Sequence, residues 1–383
     1  MLDRREIAVK LLSALAVGLM LAGPVSAQDL GKAIAAFNAG DYATALQEWE
    51  PLAAQGDAAA QYNLGNMYKL GDGVIQDYAE AANWFRKAAE QGYAQAQFNL
   101  GNMYNLGNGV IQDYAEAVDW FRKAAEQGYA PAQFNLGTKY DNGDGVMQDY
   151  AEAVRFYRLA ADQGFAFAQF NLGNMYNLGQ GVPQDYAEAV RWYRLAAEQG
   201  YAQAQFNLGN MYVNGDGVIQ NYAEAVDWFR KAAEQGYAQA QYTLGTKYDN
   251  GDGVMQDYAV AADWYRKAAE QGIAQAQYNL GVSYANGMGV PQDYAEAVDW
   301  YRLAAEQGYA QAQYNLGVMY YNGNDVIQDD VMAHMWVNIS GANGYARGSE
   351  GRGVIEQRMT REQIAEAQAL ARRCMASDYQ DCD

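Results

Sequence analysis

The sequence predicts an all-α fold, an α-solenoid of stacked helix pairs, and three observations carry that expectation. "GDGVIQDYAEAANWFRKAAEQG" (residues 71–92) returns almost letter for letter at 107–128, and the same wording recurs downstream with a period of 36 residues. Each copy holds two stretches of apolar residues at helical spacing. Glycines separate those stretches at fixed places, while only 5 prolines occur in 383 residues. Each copy is one supersecondary unit, and such units bury their apolar faces by stacking on their neighbours.

Taken in chain order, the first 27 residues stand apart. Arg4, Arg5 and Lys10 precede the apolar run "LLSALAVGLMLAG" (11–23), and Val25, Ser26 and Ala27 close it with small residues. This is the pattern of an export signal cleaved near Ala27. The apolar run is shorter than the roughly 20 residues of a membrane span. No later segment is long enough for one either, so no transmembrane segment is expected. The mature chain, from Gln28, is therefore expected in the periplasm or secreted. Half of all residues are hydrophobic, enough for a substantial core, and the formal net charge is −20. So acidic a body repels phosphate backbones, which argues against nucleic-acid partners.

Residues 28–56 read as a shortened helix pair without the longer central loop. Eight full units follow, at 57–92, 93–128, 129–164, 165–200, 201–236, 237–272, 273–308 and 309–344. Units 93–200 and 201–308 agree at 86 of 108 positions, so a three-unit block was copied whole. One asymmetric active site would not readily survive such copying.

In unit 93–128 the first helix is expected over 94–106, with Ala96, Leu100, Met103 and Tyr104 as its buried stripe. Gly107 and Gly109 make the turn. The second helix opens at "DYAE", where Asp113 and Glu116 resemble a capping box, and it buries Tyr114, Ala117, Val118, Phe121, Ala124 and Ala125. Gly128 occupies a position where a helix end tolerates positive φ. Gly101 and its equivalents sit mid-helix, where glycine costs about 1 kcal/mol relative to alanine. A cost repeated in eight units implies that an aromatic ring of a neighbouring helix lies across the hole. Asp119 and Lys123 are expected to pair at i, i+4 on the outer face of the second helix.

The repeated pattern A-x-A-Q-x-x-L-G-x-x-Y-x-x-G-x-G-V-x-Q-D-Y-x-x-A-x-x-W-Y/F-R-x-A-A-x-Q-G resembles the Sel-one-like repeat, a longer-looped relative of the tetratricopeptide repeat. The resemblance covers 57–344 and weakens only in the last unit. It implies a right-handed superhelix of helix pairs that serves as an adaptor between proteins; exported bacterial members are often periplasmic or secreted. One branch of the family has a disulfide in every repeat and is linked to penicillin binding and β-lactam hydrolysis, but no repeat here contains cysteine.

The residues for chemistry are scarce. His334 is the only histidine and stands where other units have Val or Ala, so it reads as a partly buried packing residue. No Ser is followed three residues later by Lys, the spacing of penicillin-recognising enzymes. "DNGDGVMQD" (141–149 and 249–257) superficially suggests a calcium loop, but Gly143 and Gly145 stand where ligands would be needed. No catalytic residue, metal or cofactor is expected.

One face of the first helices invites a partner. Asn66, Asn102, Asn174 and Asn210 share one register on it, and Asn99, Asn135, Asn171 and Asn207 share another. Phe98 and Phe170 flank them. Asparagine offers donor and acceptor together to a peptide backbone. The alternative is that these amides tie neighbouring repeats together or meet only water.

Residues 345–383 are expected to form a C-terminal helical cap, with Thr360 and Gln363 as a capping box opening a helix through Cys374. In an oxidising compartment Cys374 and Cys382, the only cysteines, read as a local disulfide. With one histidine in the chain, a metal pair is the weaker reading. The expected function is an exported, non-enzymatic scaffold for a protein or extended peptide. The alternatives are a cell-wall or β-lactam-processing enzyme, and a periplasmic regulator of a membrane sensor or exopolysaccharide machinery.

Overall fold

A computed structural model describes residues 26–382. The expected export signal, residues 1–27, lies outside them apart from Ser26 and Ala27, which open the first helix. Among the described residues there are twenty helices and no strand. They belong to two compact bodies that divide between Phe165 and Ala166, at a repeat boundary.

The first body holds the shortened pair α1 (Ser26–Asn38) and α2 (Tyr42–Ala54). Three full pairs follow, namely α3 (Ala58–Leu70) with α4 (Tyr78–Glu90), α5 (Ala94–Leu106) with α6 (Tyr114–Glu126), and α7 (Ala130–Asn142) with α8 (Tyr150–Asp162). The second body holds α9 (Ala166–Leu178) with α10 (Tyr186–Glu198), α11 (Ala202–Asn214) with α12 (Tyr222–Glu234), and α13 (Ala238–Asn250) with α14 (Tyr258–Glu270). It continues through α15 (Ala274–Asn286) with α16 (Tyr294–Ala305), then α17 (Ala310–Asn322) with α18 (Asp330–Ala342). The chain ends with α19 (Ala346–Glu356) and α20 (Arg361–Ala376).

Seven of the eight mid-helix glycines face an aromatic ring as expected; Gly317, in the last repeat, faces Val337 instead, with a built Cβ 2.6 Å from its Cγ2. A Cβ built on Gly101 would lie 2.7 Å from the Phe121 ring, and one on Gly209 would lie 2.6 Å from Phe229. The aromatic ring thus occupies the space that a methyl group would need, and its close packing offsets the helical cost of glycine. At the start of α6, Asp113 Oδ1 accepts from the backbone N–H of Ala115 (2.9 Å) and Glu116 (3.0 Å). Glu116 does not reach back to complete a box. Its carboxylate accepts instead from Trp120 Nε1 at 2.9 Å. A complete capping box does form between Thr360 and Gln363 at α20.

Three local expectations need correcting. Tyr114 is exposed rather than part of the buried stripe, because the first residue of α6 turns toward the loop, where its hydroxyl accepts from Gln112 Nε2 at 3.1 Å. Asp119 pairs with Arg122 at 2.8 Å, one residue short of the expected partner. Lys123 instead lies over the Trp120 ring, 3.8 Å from its centroid. His334 is fully buried, not partly.

Apolar clusters span the junctions between repeats, and a small one of Ala333, Val337 and Ile355 joins the last repeat to the C-terminal helices. Phe85 and Ala88 of α4, Leu100 and Met103 of α5 and Trp120 of α6 form one cluster; Tyr193, Leu208, Met211 and Trp228 form its counterpart in the second body. Every junction within a body is also crossed by a buried amide. Gln97 Nε2 donates to Ala89 O in the last turn of α4 at 3.0 Å, adding a second donor to a carbonyl that also accepts from Gly92 N at 3.0 Å, while Gln97 Oε1 accepts from Gln127 Nε2 at 2.8 Å. Arginine adds an outer tie, Arg86 Nη2 donating to Tyr104 OH at 2.9 Å.

At the C-terminal end Ala371 and Cys374 of α20, with Cys382, pack into the cluster of Met335, Trp336 and Ile339. Cys374 and Cys382 sit as a pair with Cα atoms 4.4 Å apart. Their loop brings the Tyr379 hydroxyl to Asn343 Nδ2 at 2.9 Å, and Asn343 also donates to Gln313. No helix among the described residues is long and apolar enough to cross a membrane.

Candidate functional site

The face singled out in the sequence follows from how the first helices bury themselves. In α5 the positions 96, 97, 100, 101 and 103 turn inward, which leaves Phe98, Asn99 and Asn102 half-buried along one side. All ten candidate residues, Asn66, Phe98, Asn99, Asn102, Asn135, Phe170, Asn171, Asn174, Asn207 and Asn210, are half-buried in the same way.

The two aromatic candidates are part of the packing. Phe98 lies 5.9 Å from the Phe121 ring centroid and 5.4 Å from that of Tyr129. Phe170 lies 5.9 Å from Tyr193 and 5.0 Å from Tyr201. Such offset and edge contacts hold both rings in place, each keeping part of its surface open.

The asparagines meet across junctions. Asn99 Nδ2 approaches Asn66 Oδ1 at 3.4 Å, Asn135 approaches Asn102 at 3.1 Å, and Asn207 approaches Asn174 at 3.4 Å. A rung forms only where both positions carry Asn. Opposite Asn210 the chain has Thr243, and neither Asn210 nor Asn171 makes a side-chain hydrogen bond among the described residues. Each rung uses one acceptor site of one amide and one N–H of the other, so N–H donors remain on both, while the acceptor of Asn174 is filled by a second bond. Tyr193 donates its hydroxyl to Asn174 Oδ1 at 2.7 Å. Burial pushes that phenol up to about 12, so it remains a donor throughout the physiological range.

Asn207 and Asn210 also line a cavity of about 360 Å³ in the second body, beside Asn177, Asn214, Tyr193, Leu178, Met211 and Asp216. Its wall is mostly amide and aromatic, and Asp216 is the one formal charge on it. Such a hollow suits hydrogen bonding to uncharged polar groups.

The aspartates of the suggested calcium loop are engaged. In "DNGDGVMQD", Lys139 Nζ lies 3.5 Å from Asp144 Oδ2, and Asp141 accepts from the Tyr157 hydroxyl at 3.1 Å. No group of three His, Cys, Asp or Glu side chains among the described residues is placed to hold a metal ion. His334 Nε2 faces Glu356 Oε1 at 3.1 Å, with Nδ1 buried against no partner.

Sequence reasoning gave no role to the glutamine of A-x-A-Q, although it stands unchanged in all eight units at Gln61, Gln97, Gln133, Gln169, Gln205, Gln241, Gln277 and Gln313. Its invariance among drifting copies was the available signal.

Comparison with known proteins places this architecture. The pattern described as the Sel1 repeat matches eight consecutive segments, 58–93, 94–129, 130–165, 166–201, 202–237, 238–273, 274–309 and 310–345. The chain belongs to the Sel1 repeat family. Its frame is shifted by one residue from the units drawn on the sequence. Among solved structures, a Sel1 repeat protein from Oxalobacter formigenes is 34% identical with a TM-score of 0.64, over 83% of this chain and 92% of that one. A protective antigen of uropathogenic Escherichia coli strains with an SLR fold is 32% identical with a TM-score of 0.53, over 99% and 96% respectively. No curated protein matches. Sel1 repeat solenoids such as this one are scaffolds suited to protein–protein interaction, because stacked repeats present extended surfaces.

Proposed function

We propose that the protein is an exported, non-enzymatic scaffold that binds a protein or an extended peptide along the face of its first helices. The observation that carries this is the half-buried asparagine series, whose amides keep open N–H donors at repeat intervals, and at Asn210 an open acceptor as well, while the helices beneath are fixed by other residues. An extended backbone offers N–H and C=O groups that such amides match. The basic and apolar start of the chain, with the Cys374–Cys382 pair, supports an oxidising location outside the cytoplasm.

The test begins with a partner captured by crosslinking the mature protein in its own periplasm, and compares affinities for that partner. Asn102→Ala, Asn174→Ala and Asn210→Ala together should weaken binding strongly, since each hydrogen bond contributes about 0.5–1.5 kcal/mol and three act together. Asp119→Ala, Arg191→Ala and Asp227→Ala on the second helices should change it little. Equal affinity for both triples would move the binding surface elsewhere.

A further inference from the structure

The loops between paired helices carry a feature that no helix packing explains. Each reads Gly-x-Gly-Val-x-Gln, except for Gly-Asn-Asp-Val-Ile-Gln in the last repeat. The valine turns inward, and Val74, Val110 and Val146 pack against the clusters below. The next residue is left outside. Ile75, Ile111 and Met147 in the first body are between 87% and 91% exposed, as are Ile219, Met255 and Ile327 in the second.

These loops are held at several points. Gln112 Nε2 donates to Asn105 O at 2.9 Å and to Tyr114 OH at 3.1 Å, and Asp113 N donates to Tyr104 O at 2.9 Å. A Cβ on Gly109 would lie 2.2 Å from the Tyr78 carbonyl of the preceding repeat, so that loop is pressed against its neighbour. Gln76 and Gln148 make the same bonds in the flanking loops. The apolar side chain therefore stands on a fixed base and faces solvent.

A single exposed isoleucine is ordinary on a protein surface. The repetition is not. Across the eight loops this position is Ile, Ile, Met, Pro, Ile, Met, Pro and Ile, never polar. Three residues earlier the same copies vary among Asp, Asn, Gln and Met, so sequence drift was free to act nearby.

Charge indicates what would cover the row. The three loops of the first body, 71–77, 107–113 and 143–149, contain Asp72, Asp77, Asp113, Asp144 and Asp149 and no Lys or Arg. The adjoining last turns supply Lys69 and Lys139, the second already held by Asp144. An acidic apolar edge on a chain of net charge −20 disfavours a second copy of itself and an anionic bilayer. We infer that the loop edge carrying Ile75, Ile111 and Met147 is a second docking surface, which takes a basic, apolar segment of a partner protein. It does not rest on the proposal for the asparagine face.

The experiment uses a fluorescent peptide of alternating lysine and leucine, with anisotropy read at low and moderate salt. The triple Ile75→Ser, Ile111→Ser and Met147→Ser changes no charge and removes no packed side chain. It should weaken binding at least about tenfold, the scale of losing even one well-buried aliphatic contact. The control triple Leu159→Ser, Leu195→Ser and Leu303→Ser, exposed on second helices, should bind as the parent does. Salt should weaken the parent complex. Unchanged affinity in the loop triple overturns the proposal, as does equal loss in the control. Equal binding of a lysine–serine peptide would reduce the effect to charge alone and also overturn it. So would a parent dimer that the loop triple dissolves, since that surface would then belong to a second copy.

Discussion

Two series of amides cross the junctions between repeats, and they differ in burial and in continuity. The glutamine series is buried and complete, with the same bond to a helix-terminal carbonyl at all seven junctions described within the two bodies. The asparagine series is half-buried and broken, with rungs at three junctions only. The difference follows from what water can reach. A buried amide with no partner costs about 1–3 kcal/mol, so a copy that lost one of the paired glutamines would be destabilised. An amide at the surface can turn to solvent, and there Thr138, Thr246, Val282 and Val318 have replaced asparagine. A position free of structural duty in some copies is one a partner can use.

The largest expected effect is therefore at the buried series. Gln205→Ala removes the donor to Ala197 O and the acceptor of Gln235 Nε2, which lie at 3.0 Å and 2.7 Å. Chemical denaturation should show a loss of about 1–3 kcal/mol. An unaltered midpoint would mean that water replaces the glutamine, and the contrast between the series would collapse.

Next come two asparagines in the same register. Asn174 accepts from both Tyr193 and Asn207, whereas Asn210 makes no side-chain bond among the described residues. Asn174→Ala should cost about 0.5–1.5 kcal/mol, and Asn210→Ala should stay within about 0.5 kcal/mol. Both substitutions are expected to lower affinity for a groove partner. Equal stability losses would show that Asn210 is structural as well, and the groove would lose its clearest free amide.

The architecture was legible in the sequence because it is written eight times. Periodicity located each helix, and the recurring glycines pointed to the ring that lies behind Gly101. What escaped was set by side-chain direction at the ends of elements. Tyr114 has apolar character at helical spacing, but at the first position of its helix it meets Gln112 and solvent. Lys123 has the spacing of an ion pair with Asp119, yet the Trp120 face lies nearer. The polar character of Gln97 hid its burial, since its partners are a carbonyl and another glutamine that no linear pattern brings together. On the candidate face the sequence supplied the residues. It could not say which asparagines would pair, because that depends on matching two positions 33 residues apart.

The smallest expected effect lies on the outer surface, where one arginine separates two kinds of contact. Arg230 pairs with Asp227 at 2.6 Å within its own helix, and reaches Tyr248 OH of the next repeat at 3.2 Å. The Asp227 side chain is largely exposed, so its attraction to Arg230 is screened by water and salt. Asp227→Ala should therefore shift stability by no more than about 0.5 kcal/mol, and by less as salt is added. Arg230→Ala removes the same ion pair and, with it, the tie to Tyr248 and the covering of the junction by its aliphatic stem. It should cost more than Asp227→Ala, and the excess should persist at high salt because a hydrogen bond to a neutral phenol is little affected by screening. If the two substitutions cost the same at every salt concentration, the arginine ties within its own helix only, and the junctions are held by the buried glutamines and apolar clusters alone.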